Sequence, residues 1–380
     1  MDFDFSDEQE MLRDSVRKWV EKGYGFERRK RIVADGGFSR DAWSELAELG
    51  LTGLVVPQDQ GGMGFGAIDA MVVMEELGSG LVLEPYAQGA LIASAVLAGY
   101  AAPPVQADWL PRVASGEALV VLAHQERSAR YRLDRVSTTA TVTGASWRVR
   151  GTKSVVAAGD QADAFIVPAR VSGAVDDTAG IALFLIERGA HGVTALGYST
   201  QDGARAAEVN FDDAPATLLV EAGRGHAALE DAADIGIAAA CAEAVGLMDK
   251  LVGVTVEYMN TRKQFGVPIA SFQALRHRIA DVKMQLELGR SMSYFASLKL
   301  GEAPVARRRA LSQAKVQLGQ SMRFVGQQCI QLHGGIGVTD EYAASHYFKR
   351  LTVIELTFGD TLYQLGEVSR RMQTTAGVFA

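Results

Sequence analysis

The chain has 380 residues, a length above that at which one hydrophobic core stops growing, so two or three packed units are expected. Hydrophobic residues make up 48% and charged residues 22%, with a mean hydropathy of +0.05, the composition of a soluble globular protein and not of a disordered one. The net charge of −7 and isoelectric point near 5.5 supply no basic footprint for nucleic acid or an anionic membrane, so a phosphate-bearing ligand has to be met by local groups.

The N-terminus, Met1-Asp2-Phe3-Asp4-Phe5-Ser6, is acidic and lacks the basic-then-apolar order of a signal peptide, and no apolar run reaches membrane-spanning length. A cytoplasmic protein is the expectation. Ser6-Asp7-Glu8-Gln9 reads as a capping box that opens a helix, and a second helix over 39–49 carries apolar Trp43, Leu46 and Leu49 before Gly50 as its stop. A glycine-rich turn occupies 56–64. From about Leu119 the pattern changes to short apolar or alternating runs at 119–123, 140–143, 147–150, 164–167, 181–186 and 207–211, the signature of a β domain, with 172–180 as a polar surface loop. From His226 onward helical spacing returns, as in Leu275, Ile279, Val282 and Leu286, then Leu311, Ala314, Leu318, Met322, Val325, Cys329 and Leu332.

The expected fold is mostly α with a central β domain: a helical domain over 1–117, a β-barrel-like domain over 118–222 and a four-helix bundle over 223–380. No G-x-G-x-x-G follows a strand, which argues against a Rossmann fold. Cys241 and Cys329 are far apart, outside any Cys/His cluster, and read as buried thiols, so neither a disulfide framework nor a metal site is expected.

Two segments carry the chemistry. One runs Tyr258-Met259-Asn260-Thr261-Arg262-Lys263-Gln264-Phe265-Gly266-Val267-Pro268-Ile269-Ala270-Ser271-Phe272-Gln273, the other Gln331-Leu332-His333-Gly334-Gly335-Ile336-Gly337. Each follows a helical stretch. Together they present what a diphosphate needs: a guanidinium able to pair bidentately with oxyanions, and side-chain-free backbone whose N–H groups can approach phosphate. In this order and spacing they resemble the acyl-CoA dehydrogenase family, and the resemblance extends over essentially the whole chain, including the 56–64 loop, which is similar to that family's P-E-x-x-G-G-x-G turn. The resemblance implies that FAD is held across a subunit interface, with Arg262, Phe265, Gln273, Gln331, Gly334 and Gly335 at its cofactor positions.

The family's reaction removes a proton α to a thioester and passes a hydride from the β carbon to the flavin, which calls for a carboxylate base in an apolar site. Counting forward from Tyr342 along the family pattern places Phe358-Gly359-Asp360 where most members carry Glu-Gly-Thr. Counting back through Val245-Gly246-Leu247 places Gly236 at the second position at which members carry a Glu. Both lack a carboxylate, which leaves Asp360, Glu355, Asp234 and Glu243 as nearby substitutes. Each reads first as a cap, a paired charge or a solvated acid. Asp234 also matches an acidic position near the family's CoA side, where the accompanying Arg has become Ile237. His333 titrates near neutrality, but its place in the glycine loop favours packing or the cofactor edge over catalysis. The flavin-ring segments also depart from the family: His124-Gln125-Glu126-Arg127-Ser128-Ala129-Arg130-Tyr131 stands for E-P-x-x-G-S-D, and Lys153-Ser154-Val155-Val156-Ala157-Ala158 for K-x-W-I-T-N, with Val155 in place of Trp and Ala157 in place of Thr.

Three functions follow from the resemblance. The first is an acyl-CoA dehydrogenase with an unusually placed carboxylate. The second is the FAD-binding subunit of a hetero-oligomer whose sister chain supplies the Glu, and the third a structural flavoprotein. The implied partners are an acyl-CoA substrate, electron-transferring flavoprotein, and further copies of this chain or a sister subunit, with no nucleic acid and no membrane.

Overall fold

The computed structural model describes residues 5–144 and 146–375; Met1 to Asp4, on which most of the leader reading rests, lie outside the described residues. In chain order, helices α1 (Asp7–Gly23), α2 (Phe26–Ala34), α3 (Arg40–Glu48), α4 (Ala67–Ser79), α5 (Ser94–Tyr100) and α6 (Pro103–Ala114) come first. Strands β1 (Val120–Leu122), β2 (Thr139–Thr143), β3 (Ser146–Ala157), β4 (Ala164–Arg170), β5 (Ile181–Glu187), β6 (Val193–Ser199) and β7 (Arg205–Val220) follow. Then come α7 (Gly225–Thr261), the short strands β8 (Lys263–Gln264) and β9 (Val267–Pro268), α8 (Gln273–Lys299), α9 (Pro304–His333), α10 (Ala343–Leu356) and α11 (Thr361–Thr375). Helices, strands, helices is the order expected, and among the described residues no helix is long and apolar enough to cross a membrane.

The predicted capping box forms, and Ser39 caps the second helix. Ser6 Oγ accepts from Gln9 N–H at 3.2 Å while Gln9 Oε1 accepts from Ser6 N–H at 3.1 Å, and Ser39 Oγ accepts from Ala42 N–H at 3.2 Å. These bonds satisfy N–H groups that the first helical turn leaves without partners.

The chain compacts into two units. One comprises Met1–Lys30, Ala67–Val82 and Ile237–Ala380, the other Arg31–Gly66 and Leu83–Gly236. The first unit is helical. Its core draws α7 residues such as Val245, Met248 and Leu251 together with Leu286 of α8, Leu318 and Val325 of α9, and Leu351 of α10, all at most 1% exposed. There α4 meets α7 backbone to backbone: a Cβ on Gly246 would lie 1.8 Å from the Glu75 carbonyl, and one on Gly78 would lie 2.3 Å from that of Glu243. Only glycine permits that approach at either place.

The second unit carries the barrel. Strands β4, β2, β3, β7 and β5 close a ring, because β5 pairs back onto β4 from Ala164↔Glu187 to Arg170↔Ile181. Closure leaves no free edge within that ring. Strand β1 lies parallel beside β4, and β6 pairs only with β7. The interior holds Phe165 and Phe211 edge to face at 6.0 Å. Strand β6 escapes the sequence pattern because it alternates only between half-buried and exposed, with Leu196 75% and Tyr198 39% exposed. A hydrophobic run facing solvent carries no core signal.

Candidate functional site

The helix that carries the first motif stops at Thr261, and the chain turns through a two-residue hairpin. Phe265 and Gly266 both have positive φ, 54° and 83°, as a turn matched to the strand twist requires, and β8 pairs with β9 on either side. Arg262 is fixed at the base of this hairpin, its N–H donating to the Tyr258 carbonyl and its own carbonyl accepting from Ile269 N–H, each at 2.8 Å. Phe265 stands at the tip, 93% exposed, with its ring edge-on to Phe272 at 6.1 Å. Gln273 opens α8.

The second motif ends α9. Met259, Ile269 and Leu332 form one small buried cluster, so the two segments, remote in sequence, are packed together. Gly334 leaves the helix at φ 64° and ψ −140°, a conformation that L side chains do not adopt. A Cβ at Gly334 or Gly335 would meet nothing within 4 Å and both residues are exposed, so a group can approach this backbone closely; the Gly334 N–H itself donates back to the Gln331 and Ile330 carbonyls and closes α9. Arg262, Gln273 and Gln331 are exposed, and among the described residues their side chains make no hydrogen bond or ion pair. One guanidinium, two carboxamides and open glycine backbone form a donor set of the right chemistry for a diphosphate. The residues therefore fit FAD, the cofactor the sequence implies.

His333 is 3% exposed. Its Nδ1 lies 2.8 Å from the Cys329 carbonyl, which makes it the protonated nitrogen of a neutral ring, and the ring stacks on Tyr258 at 4.7 Å and contacts Tyr342 at 5.2 Å. Burial lowers its pKa, against the opposing bond to Cys329. The two tyrosines complete an aromatic floor under the glycine loop that the motif reading missed; helical spacing from Tyr258 was the available signal.

The turn after α10 is built differently. Phe358 is left-handed at φ 55°, partly buried against the bundle core, and followed by Gly359 at 103°. Lys315 of α9, 1% exposed, donates from Nζ to the carbonyls of Ile354 at 2.8 Å, Glu355 at 3.0 Å and Gly359 at 3.3 Å, and burial pushes this ammonium down to about 8. Gln364 Nε2 donates to the Phe358 carbonyl at 2.7 Å. Glu355 accepts from Thr361 N–H and Oγ1 at 3.0 and 2.7 Å and pairs with Arg323 at 3.4 Å. Asp360 accepts from Tyr363 N–H at 2.8 Å, the N-terminal cap of α11. On α7, Glu243 forms a two-point pair with Arg350 of α10 at 2.5 and 2.9 Å. All three acids hold structure together.

In the second unit, Gly236 is a buried α7 position, and Asp234 is 1% exposed one half-turn earlier. The two barrel segments that depart from the family pattern are joined by a pair that sequence reasoning did not single out. Lys153 Nζ, on a wholly buried side chain, lies 2.7 Å from Glu126 Oε1. The signal was Lys153 standing at the Lys of the K-x-W-I-T-N pattern. Next to it the β3–β7 register slips between Lys153 and Val156, which leaves Val155 51% exposed at φ 53°.

Comparison with known proteins agrees with this layout. Three family models match in succession: the acyl-CoA dehydrogenase N-terminal domain over residues 6–117, the middle domain over 122–214 and the C-terminal domain over 223–373. Acyl-CoA dehydrogenase FadE12 of Mycobacterium tuberculosis is 29% identical over 359 residues, covering 90% of this chain and 89% of its own length. Among solved structures, the Tcur3481-Tcur3483 steroid ACAD variant aligns with a TM-score of 0.88 at 27% identity, covering 98% of this chain and 99% of that one. The glutaryl-coenzyme A dehydrogenase complex with glutaryl-CoA shares the fold, with a TM-score of 0.92 at 23% identity over 99% and 97% of the two chains.

Proposed function

The chain belongs to the acyl-CoA dehydrogenase family, and from that premise we propose that it is a FAD-dependent acyl-CoA dehydrogenase subunit that binds the cofactor and leaves α-proton removal to a carboxylate on a sister chain. The observation that carries this reading is the Phe358 turn. Neither Phe358 nor Gly236 has an ionisable side chain; Glu355 is engaged in a cap with an ion pair, Asp360 in a cap and Glu243 in a two-point pair, and Asp234 is buried at 1% exposure. A general base has to be positioned at the proton it takes and able to accept it. Acids that close helix ends and bind arginines meet neither condition.

Bound FAD supplies the acceptor for the hydride from the substrate β carbon. Arg262 would pair with the diphosphate, Gln273 and Gln331 would donate to it, the side-chain-free Gly334 and Gly335 would let it approach the backbone, and Phe265 would supply an apolar contact to the cofactor. Phe265 is 93% exposed on this chain, and an aromatic ring raised on a hairpin tip is suited to burial against a second chain. By the family resemblance, the barrel segments 127–131 and 154–158 would meet the flavin ring, and they would do so through backbone groups, since Val155 and Ala157 offer no side-chain hydroxyl. The paired arrangement accords with the steroid ACAD neighbour, whose name carries two proteins. The substrate is an acyl-CoA thioester, and electrons pass on to an electron-transferring flavoprotein.

The test is anaerobic bleaching of the flavin by a panel of acyl-CoA esters, with the purified chain alone and after co-expression with a family member that retains its Glu. Loss of a general base costs about a hundredfold to ten-thousandfold, so the chain alone is expected to be slower by at least that lower factor. Rapid bleaching without a sister chain refutes the proposal.

A further inference from the structure

Among the described residues, seven residues other than glycine have a positive φ: Leu81, Arg130, Val155, Ala158, Asp213, Phe265 and Phe358. Such a conformation costs about 1–3 kcal/mol and persists only where the surroundings over-determine it. Three of the seven, Arg130, Val155 and Ala158, lie on two segments of the barrel unit, 127–131 and 154–158, and the residues at the roots of these segments, Glu126 and Lys153, are bonded to each other.

Glu126 Oε1 accepts from Lys153 Nζ at 2.7 Å, from Thr138 N–H at 3.0 Å and from Thr138 Oγ1 at 2.8 Å, while Oε2 accepts from Ser137 N–H at 2.8 Å. Its backbone carbonyl accepts from Ala129 and Arg130 N–H at 3.0 and 3.2 Å, which closes the turn that contains the left-handed Arg130. One residue before, the Gln125 carbonyl accepts from Ser154 N–H at 2.8 Å, next to Lys153 and at the foot of the bulge. Beyond the bulge, Ala158 N–H donates to the Arg205 carbonyl at 2.8 Å. Burial alone would raise the Glu126 carboxyl, but the Lys153 charge and bond, with the Thr138 and Ser137 amides, outweigh it and hold the group down at about 2. Burial lowers the Lys153 ammonium, against the opposing charge and bond of Glu126. Glu126 is 5% and Lys153 0% exposed, so removal of either partner leaves the other buried without its bond.

We infer that Glu126 and Lys153 are a pair of positioning residues that fasten the turn 127–131 and the bulge 154–158 into one preorganised surface, and that this surface supports the flavin ring. The second half rests on the proposed orientation of FAD; the first does not. A surface that meets a ligand through backbone needs its backbone held, and here a buried ion pair holds it.

The experiment compares wild type with Lys153→Met and Glu126→Gln by hydrogen–deuterium exchange in the FAD-free and FAD-loaded protein, alongside the absorption and fluorescence of bound flavin. Exchange over 127–131 and 154–158 is expected to quicken at least about tenfold while β4 and β5 keep their protection. The long-wavelength flavin band should lose its fine structure, and flavin fluorescence should rise as the ring gains freedom. A folded variant with unchanged exchange in both segments overturns the positioning role. Quickened exchange in the FAD-free protein with an unaltered spectrum in the loaded one overturns the assignment of this surface to the ring, and FAD occupancy, measured separately, reports on the cofactor reading itself. Should Lys153→Met fail to fold, Thr138→Val deletes a single 2.8 Å bond to the same oxygen with little change of shape. It should still quicken exchange about threefold, the scale of one buried hydrogen bond, and no change there overturns the inference as well.

Discussion

Two regions of the helical unit treat their polar groups in opposite ways. Around Arg262 a guanidinium and two carboxamides are left bare on an exposed surface beside side-chain-free glycine backbone, whereas around Phe358 Lys315, Glu355, Asp360 and Gln364 bind parts of the same turn. The difference separates a surface prepared for an external ligand from a turn that is complete by itself. Exposed donors stay solvated and lose little by waiting for an anion, while acids committed to caps and arginines lose those bonds if they take up a proton. Residue type alone would have ranked Glu355 and Asp360 as candidate bases.

The strongest way to break this comparison is to put an acid where the turn has none. Phe358→Glu retains the frame built by Lys315 and Gln364, and flavin reduction by a good acyl-CoA substrate is expected to rise by about a hundredfold or more over the parent chain. An unchanged rate in a variant that keeps its flavin and its melting temperature would show that the turn no longer faces substrate.

On the exposed side, Arg262→Ala removes the only charge in the donor set. Charge-assisted bonds contribute about 1.5–3 kcal/mol, so FAD affinity should fall by roughly ten- to a hundredfold, and the protein should purify largely apo. Full flavin occupancy, read from absorbance against protein concentration, would remove Arg262 from the site. The melting temperature of the apo protein should not move, because the side chain makes no bond within the described residues.

Glu355→Gln should behave in the reverse sense. It weakens the cap on Thr361 and the pair with Arg323, and about 1 kcal/mol of stability should be lost in a denaturant titration with flavin occupancy unchanged. A loss of turnover without a loss of stability would instead identify Glu355 as a base.

The smallest effect concerns pH at the border of the donor surface. His333 has a folded pKa below its ordinary value, so between that lowered value and about 6.5 the unfolded chain takes up a proton that the native chain refuses. Native stability therefore falls as pH drops through this window. His333→Phe should flatten that part of the acid limb in denaturant midpoints measured between pH 7 and pH 5, and an unchanged slope would mean that His333 charges freely in the fold. His124, which burial and then Lys153 push down to about 4, adds to the same limb and should be left intact as the control.

Much of this was legible in the linear pattern. The capping box, the helix–strand–helix order and six of the strands are local in origin: each depends on residues a few positions apart, and short-range periodicity records them. The seventh strand, β6, was not, because its apolar residues face solvent. The two cofactor-like segments, and the lack of an acid at Phe358 and Gly236, are likewise read directly from residue identity and spacing. What the tertiary structure alone decided is which polar groups remain available. Glu243 is bound by Arg350, 107 positions away, Glu126 by Lys153, and the Phe358 turn by Lys315, while Leu332 and Ile269 meet to bring the two motifs together. A side chain's availability depends on what long-range packing places beside it and on how much water that packing excludes, and neither quantity is written in the neighbouring residues of the sequence.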